Sequence, residues 1–356
     1  MRRLAALLDF LLAPCKAFFK RITHAYKERR IEQSLDHFTK ANFDTFSQRY
    51  FEKLAETWKV RGHNVILVLG GEWEISFHDY YNTYRNQEPL NATIFVLEHR
   101  YYGQSTPNFN IRTADGIQYL SMPQAIEDIR FFIESMNAKH QFNDPRWIIV
   151  GSSYAGVLAT WARALIPDLT IAAYASSAPV HLQSFGLGLQ EVMTEVFSNH
   201  SDECIDAAIQ VFNPKKKETF LKCCKYQLCN ELGWLPTAGV IAPQISSSSL
   251  IDFCHKEFKM DEDTIIRRIN IAATRYEEEI FPKLSNVIFT NGWRDVWRKE
   301  GEYREDKSKN IRSVLVRDAS HCQDIAYPSN IELSEVVEEV NMFLMNAKPV
   351  KMNDIL

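Results

Sequence analysis

Three residues of this sequence have the types and the chain order that nucleophilic hydrolysis requires: Ser153, Asp295 and His321. A serine hydroxyl attacks a carbonyl only when a base takes its proton, and a histidine oriented by a carboxylate is such a base. His321 is the only histidine that follows Asp295. We therefore predict that Ser153 is a nucleophile, that His321 is its general base, and that Asp295 orients the imidazole.

Ser153 lies in "RWIIVGSSYAGVLATWARALIP", where an apolar run ends at Gly-Ser-Ser-Tyr-Ala-Gly and a helical apolar pattern follows at once. A strand that turns tightly into a helix strains the corner residue and raises its side chain above the sheet. The small residues Gly151, Ala155 and Gly156 let the helix pass close to the strand. Ser152 is the weaker candidate because these small residues centre on Ser153. The alternative is a serine-rich turn without a catalytic role.

The two partners of Ser153 also follow apolar runs. Asp295 comes shortly after "NVIFTNG", and His321 comes after "SVLVRDA". Strand ends are where hydrolases built on a parallel sheet carry the acid and the base, in this chain order. Three other aspartates lie near this region but do not follow a strand in the same way: Asp306, Asp318 and Asp324.

Short apolar runs alternate with helical patterns along the chain. The runs occupy residues 64–71, 92–100, 146–151, 169–177, 286–292 and 313–319. Helical spacing of apolar residues is seen in residues 121–138 and 154–166. This alternation predicts an α/β fold with buried parallel strands and helices on both faces of the sheet. We assign residues 31–180 and 283–348 to this core.

The alternation of strands and helices is interrupted in residues 181–282. The pattern of these residues predicts a helical cap insertion. The pattern there is helical and irregular, and five of the seven cysteines lie within it: Cys204, Cys223, Cys224, Cys229 and Cys254. Ligands of parallel sheets bind at the carboxyl ends of the strands. We therefore expect the insertion to cover that end of the sheet.

The composition limits the classes of partner. The chain has 356 residues, of which 46% are hydrophobic, so it can bury a large core. Its formal net charge is −4 and it has no basic block, which argues against a nucleic-acid partner. No apolar run after the N-terminal segment is long enough for stable membrane insertion. A small molecule or a peptide is the expected partner.

Residues 1–30 form a leader or a signal segment. They have a basic start and a short apolar stretch, but Asp9 interrupts that stretch, so an amphipathic leader helix stays open as an alternative. The sequons at Asn91 and Asn199 predict glycosylation sites, and with the seven cysteines they favour a secreted or lysosomal protein. A homodimer also stays open.

Two other clusters have simpler interpretations. The glycines of "HNVILVLGGEWE" lack the lysine of a nucleotide-binding loop. Four cysteines and a histidine lie between Cys223 and His255, but no two of the cysteines form a Cys-x-x-Cys pair. A zinc site is therefore a weaker interpretation of this cluster than a disulfide-linked segment. We expect neither a metal nor an organic cofactor.

Further motifs surround the three residues: "QSLDHF", "TFSQRYF", "LEHRYYGQS", "GSSYAGVLATWARALIP", "ASSAPV", "YQLCNELGW", "TNGWRDVW" and "ASHCQDIAYPS". Through them the sequence resembles, over residues 31–329, the serine peptidase family of lysosomal Pro-Xaa carboxypeptidase, dipeptidyl peptidase II and thymus-specific serine peptidase. The resemblance implies an α/β-hydrolase fold and peptide hydrolysis near a chain terminus, often next to proline. It also implies a disulfide between Cys229 and Cys254, which flank an irregular segment.

The oxyanion site is expected to use the amide of Tyr154 and a second amide, from Gly71 or Glu72. The family usually has glycine where this chain has Trp73, and the indole could narrow the site or displace a donor. Substrate contacts are expected from Glu72, Trp73 and Trp297, and Glu72 favours a free amine. The separation between Ser153 and Asp295 is shorter than the resemblance predicts, so the cap is expected to be shortened.

The leading hypothesis is a serine exopeptidase of the dipeptidyl peptidase or Pro-Xaa carboxypeptidase type, acting on short peptides through an acyl-enzyme. Two alternatives stay open. One is an esterase or lipase-like hydrolase on the same scaffold. The other is a catalytically weakened binding protein, which Trp73 and the short cap favour.

Overall fold

The computed structural model describes residues 27–56, 58–76, 90–107, 114–185, 192, 218–235, 247–326 and 331–348. Ten strands lie in these ranges: β1 (Lys27–Ser34), β2 (Thr45–Lys53), β3 (Asn64–Leu69), β4 (Thr93–Leu97), β5 (Arg146–Ser152), β6 (Ala172–Ser176), β7 (Gln183–Phe185), β8 (Gly233–Leu235), β9 (Val287–Gly292) and β10 (Ile311–Val316).

Eight of the strands form one sheet in the order β1-β2-β4-β3-β5-β6-β9-β10. The six strands from β4 to β10 in this order are parallel, and they are the six apolar runs of the sequence. β1 and β2 pair antiparallel with each other, and β2 pairs antiparallel with β4. The expected α/β-hydrolase architecture is therefore present, with an antiparallel extension at one edge that the sequence analysis did not predict.

Side chains of the parallel strands alternate between two cores. One core contains Leu67, Phe95 and Ile149 and is covered by the helices Met122–His140 and Tyr154–Leu165. The other contains their neighbours on the opposite face and is covered by the helix Ile331–Asn346. Because both faces are buried, the strands need apolar residues at every position, which explains their continuous apolar runs.

β10 departs from the expected burial. It lies at the edge of the sheet, and only its first and last residues, Ile311 and Val316, are buried, with partly or fully exposed residues between them. Its first residue is Ile311, two positions before the predicted run begins. An edge strand needs only one apolar face, so the polar residues at its start do not prevent pairing with β9.

The remaining helical segments are short or belong to the insertion. The α-helices are Ala114–Ile117, Glu218–Gln227, Ser247–Phe258, Glu262–Arg275, Phe281–Lys283 and Gln323–Ala326. Two π-helical turns, Leu228–Leu232 and Tyr276–Ile280, continue helices of the insertion, and Arg298–Glu300 is a 3₁₀ turn. Within the described ranges no helix is both long and apolar enough to span a bilayer.

The insertion between β6 and β9 carries its own small sheet. β7 and β8 pair in parallel there, separately from the main sheet. Cys229 and Cys254 form a disulfide with sulfur atoms 1.97 Å apart, which joins the π-helical turn to the following helix. These are the two cysteines that the resemblance pairs. Cys223 is buried and unpaired, and burial raises the pKa of its thiol to about 12.

Two expectations fall partly outside the described residues. Residues 1–26 and Asn199 are not described, whereas β1 begins at Lys27, within the segment assigned to a leader. Asn91 is exposed, and the third residue of its sequon, Thr93, is fully buried at the start of β4.

Candidate active site

The turn from β5 into the next helix presents Ser153. Its backbone has φ 56° and ψ −131°, a conformation that side-chain-bearing residues rarely adopt. A Cβ at Gly151 would lie 2.0 Å from the carbonyl oxygen of Ala155, and one at Gly156 would lie 2.8 Å from Cβ of Ala178. Glycine is therefore required at both positions for the close strand-to-helix approach.

Ser153, His321 and Asp295 form one hydrogen-bonded chain. The hydroxyl Oγ of Ser153 is 2.9 Å from Nε2 of His321. On the other side of the ring, Nδ1 is 2.9 and 2.8 Å from the two carboxylate oxygens of Asp295. The structure thus brings together the three residues that the sequence analysis selected, in the geometry of a nucleophile, a base and an orienting acid.

The loops that carry His321 and Asp295 pack directly on each other. Asp295 follows the end of β9, and the amide of the neighbouring Arg294 donates to the carbonyl of Ala319, 2.9 Å away. A Cβ at Gly292 would lie 2.5 Å from that same oxygen. The small residue at the end of β9 therefore permits the contact that brings His321 to Asp295.

Opposing effects act on the pKa of His321. Burial lowers it, whereas the Cys322 sulfur and the Asp295 carboxylate raise it, and the resulting pKa lies well above the usual range. Asp295 is 1% exposed, so its charge acts on the ring with little screening by water. The carboxylate therefore both orients the imidazole and stabilises its charged form.

Tyr154 is the first residue of the helix that follows Ser153. Its amide has no acceptor within that helix, because the first amides of an α-helix precede any partner carbonyl. Its side chain is buried, and its hydroxyl is 3.2 Å from Nε2 of His99. Burial, Glu231 and Glu72 together raise the pKa of this phenol well above its usual range.

The loop after β3 carries Gly71, Glu72 and Trp73. A Cβ at Gly71 would lie 2.3 Å from the indole ring of Trp73, so the ring lies directly against the glycine. Trp73 is partly buried and packs against the sheet core. An alanine at position 71 would therefore place its methyl group where the Trp73 ring lies.

Trp297 contributes its backbone to the acid. Its amide donates to Oδ1 of Asp295 over 2.9 Å, while its side chain is partly buried against the sheet core. This amide fixes the carboxylate that faces His321. A contact between the Trp297 ring and substrate stays a prediction.

The three alternative acids lie elsewhere. Asp306 is partly exposed in a turn with Ser308, and Asp318 forms an exposed ion pair with Arg294. Asp324 is buried beside the hydroxyl groups of Tyr174 and Ser176. Ser152 ends β5 opposite Ser176.

Glu98 has a buried carboxylate that joins the loops around the site and that was not selected from the sequence. It accepts hydrogen bonds from Arg49 Nη2 (2.7 Å), the Ile75 amide (3.1 Å) and the Ser105 hydroxyl (2.7 Å). Glu98 thereby ties the loop after β3 to the loop after β4. A glutamate directly after an apolar strand, in "LEHRYYGQS", was the available signal.

Glu231, in the insertion, is a second buried carboxyl group that the sequence did not indicate. Both of its carboxylate oxygens accept from the amide of Met122, at the start of a core helix, over 3.0 and 2.9 Å. Burial raises the pKa of Glu231 to about 8. The insertion is thus attached to the core through a buried carboxyl group.

The family model described as serine carboxypeptidase S28 matches residues 33–223 and 215–342. The Caenorhabditis elegans protein K12H4.7 is 37% identical over 188 residues, which are 51% of this chain and 36% of that protein. The chain therefore spans about a third of the length of this relative. The Arabidopsis thaliana probable serine protease EDA2 is 34% identical over 397 aligned positions, with 82% of this chain and 80% of that protein covered.

The mouse lysosomal Pro-X carboxypeptidase is 30% identical over 165 residues, covering 45% of this chain and 33% of that protein. Among solved structures, the proline iminopeptidase of Mycobacterium smegmatis is similar, with a TM-score of 0.50 and 10% identity. The match covers 90% of this chain and 99% of that one. At this identity the structural likeness concerns the fold alone.

Proposed function

The chain belongs to the serine carboxypeptidase S28 family, and from that premise we propose that it is a serine peptidase with Ser153 as its nucleophile. The observation that carries the proposal is the 2.9 Å distance between Ser153 Oγ and His321 Nε2. A base within hydrogen-bond reach of the hydroxyl is the geometric requirement for activating a serine.

In the first half-reaction, Nε2 of His321 takes the proton of Ser153 as Oγ attacks the substrate carbonyl. The imidazolium is held by Asp295, with Nδ1 donating to the carboxylate. The carbonyl oxygen becomes an oxyanion that accepts from the amide of Tyr154. His321 then protonates the leaving amine, the peptide bond breaks, and an acyl-enzyme remains on Ser153.

In the second half-reaction, water enters the place of the departed amine. His321 takes a proton from the water, whose oxygen attacks the acyl carbon. Collapse of the tetrahedral intermediate returns the proton to Ser153 and releases the carboxylic acid. Each proton therefore passes through one nitrogen, Nε2, and the proposal requires His321 to be neutral at the start of both steps.

A second oxyanion donor is proposed from the loop after β3, at Gly71 or Glu72. One donor of this kind is worth about 3 kcal/mol of transition-state stabilisation. Trp73 lies against Gly71, so the position of this loop depends on the indole. The rate of the enzyme is expected to be sensitive to both residues.

The proposed substrates are short peptides cleaved next to proline near a chain terminus. A mouse relative is named lysosomal Pro-X carboxypeptidase, which supports this class and a lysosomal or secreted location. Glu72, whose charge reaches the buried phenols of Tyr102 and Tyr154, supplies a negative group beside the site. A negative group favours the free amine of a peptide, which supports dipeptide release.

A peptide-library digest at acidic, neutral and mildly alkaline pH tests this proposal, since His321 must be neutral to act as the base. The library contains matched peptides with proline at the second and at the penultimate position, each with a free or a blocked terminus. The expected products are those of cleavage after proline, and they must be absent with Ser153→Ala. Equal cleavage after all residues would refute the proline preference. Turnover of short-chain esters without peptide cleavage would instead assign an esterase, and no turnover of either would refute a peptidase.

A further inference from the structure

Asp324 lies three residues after His321, in the short helix Gln323–Ala326, and is 4% exposed. Its carboxylate accepts hydrogen bonds from the hydroxyl of Tyr174 over 2.5 Å and from that of Ser176 over 2.6 Å. The hydroxyl of Thr290 donates to the same carboxylate. Three hydroxyl groups therefore converge on the two oxygens of one buried side chain.

These donors come from the two strands that lead to the site. Tyr174 and Ser176 belong to β6, and Thr290 lies opposite Ser176 in β9, the strand that precedes Asp295. Asp324 thus joins the loop of the base to the carboxyl ends of two neighbouring parallel strands. Movement of this loop relative to the sheet would break hydrogen bonds to both strands.

A second tether acts next to His321. The amide of Cys322 donates to the hydroxyl of Ser177 over 2.9 Å, and Cys322 has a left-handed backbone with φ 57°. Ser177 is itself fixed, because its amide donates to the carbonyl of Thr290 over 2.7 Å. The chain after His321 is therefore bound to the sheet at Cys322 and again at Asp324.

We propose that Asp324 is a positioning residue for acyl transfer, which holds His321 at hydrogen-bond distance from Ser153 through the hydroxyl cluster of Tyr174, Ser176 and Thr290. This inference rests on the proposed function. A carboxylate accepts all three hydrogen bonds with its two oxygens, whereas an amide has only one oxygen acceptor, and a hydroxyl that faces its NH₂ group must turn its own proton away. Asp324→Asn therefore breaks at least one of the three hydrogen bonds to the strands and loosens the attachment of the loop.

The size of the effect follows from the sensitivity of catalysis to geometry. A misplacement of about 1 Å in a reacting group can cost about 100-fold in rate. The hydroxyl groups bound to Asp324 belong to the strands beneath the site, so the expected loss is in the rate of the chemical step and not in the binding of a ligand. The two quantities can be measured separately with a fluorophosphonate that reacts covalently with an activated serine.

The experiment measures the labelling of the full chain by a fluorophosphonate at several concentrations, giving a maximal rate and a half-saturating concentration. Asp324→Asn is expected to lower the maximal rate about 100-fold with little change in half-saturation. The matched control is Asp318→Asn, in the same loop, where the side chain is 67% exposed and paired with an exposed Arg294. The control is expected to label like the wild type.

Thr290→Val provides a second variant if Asp324→Asn does not fold. It removes one hydroxyl donor, keeps the carboxylate and preserves side-chain volume. A reduced maximal rate in a variant that still melts cooperatively supports positioning. Labelling of both variants at the wild-type rate would overturn the inference while leaving Ser153 as the nucleophile. Absence of labelling at Ser153 in the wild type would overturn the proposed function and the inference together.

Discussion

Asp295→Asn separates the orienting role of this residue from its role in folding. Asparagine has the same shape, and its side-chain oxygen can still accept from the amide of Trp297, which lies 2.9 Å from Oδ1. Its NH₂ group then faces Nδ1 of His321, which lies 2.8 Å from the present Oδ2. Nδ1 must become the acceptor, so the proton of the neutral ring moves to Nε2, the atom that faces Ser153.

A ring protonated at Nε2 cannot take the proton of Ser153. Loss of the correct tautomer in a serine triad costs about 10⁴-fold in kcat. At about 1.4 kcal/mol per factor of ten, this corresponds to about 5 kcal/mol of transition-state stabilisation. The melting temperature should change little, because the replacement keeps the shape of the side chain and one of its hydrogen bonds.

The pH dependence of the reaction provides a second, independent measurement. The pKa of His321 is raised by Cys322 and Asp295, and only the neutral imidazole is active, so wild-type kcat/KM should fall as the pH drops through this raised pKa. Loss of the Asp295 charge lowers the pKa, so residual activity in Asp295→Asn should persist to lower pH. Asp306→Asn, in a separate turn, is the control and should match the wild type.

The assay is steady-state hydrolysis of the best peptide from the library digest, measured for the wild type, Asp295→Asn and Asp306→Asn across the pH range in which all three are folded. A loss of less than about tenfold in Asp295→Asn, with an unchanged acidic limb, would refute the role assigned to Asp295.

Three further predictions concern the insertion and the loop after β3. Burial raises the pKa of Glu231 to about 8 from an ordinary 4.5, so the folded protein keeps a proton that the unfolded chain releases and stability should fall as pH rises between these values. Glu231→Gln should flatten this dependence in thermal melts at pH 5 and pH 8, and an unchanged slope would contradict the assignment. The bridge between Cys229 and Cys254 spans a sequence separation of 25, so replacing both cysteines by serine should cost about 3 kcal/mol in urea unfolding, and finding both thiols alkylated without reduction would show that no bridge forms. Gly71→Ala should lower peptide turnover, because the added methyl group would lie 2.3 Å from the Trp73 ring. The double variant Gly71→Ala with Trp73→Gly should recover turnover. No recovery would show that the Trp73 ring is not the cause of the loss.

Most strands in the parallel part of the sheet could be predicted because they are buried on both faces. Runs such as Val65 to Leu69 are apolar at every position, and the glycine and serine residues that follow them mark the turns. β1 could not be found in this way. Its sequence "KERRIEQS" is mostly charged and exposed, and it is a strand because all eight residues pair with β2. Backbone pairing with the neighbouring strand leaves no apolar pattern in the sequence of β1 itself.

The grouping of Ser153, Asp295 and His321 was predictable from their order and their strand ends, whereas the residues that support them were not. Ser153 and His321 are 168 positions apart in the chain, with the insertion between them, yet each follows a recognisable strand. Glu98 and Asp324 are single acidic residues whose role depends on partners that only the fold brings together. Neither burial nor hydrogen-bond partners of an isolated carboxylate can be read from its sequence neighbours.

The measurement that tests the central claim most directly is the site of covalent capture by a fluorophosphonate. The wild-type protein, Ser153→Ala and His321→Ala are each treated with the probe, and the adduct is located by mass spectrometry of proteolytic peptides. The account predicts one adduct on Ser153 in the wild type, none on the alanine variant at that position, and strongly slowed labelling when the base is removed. Labelling at another residue, or an unreactive Ser153 in the folded wild type, would contradict it.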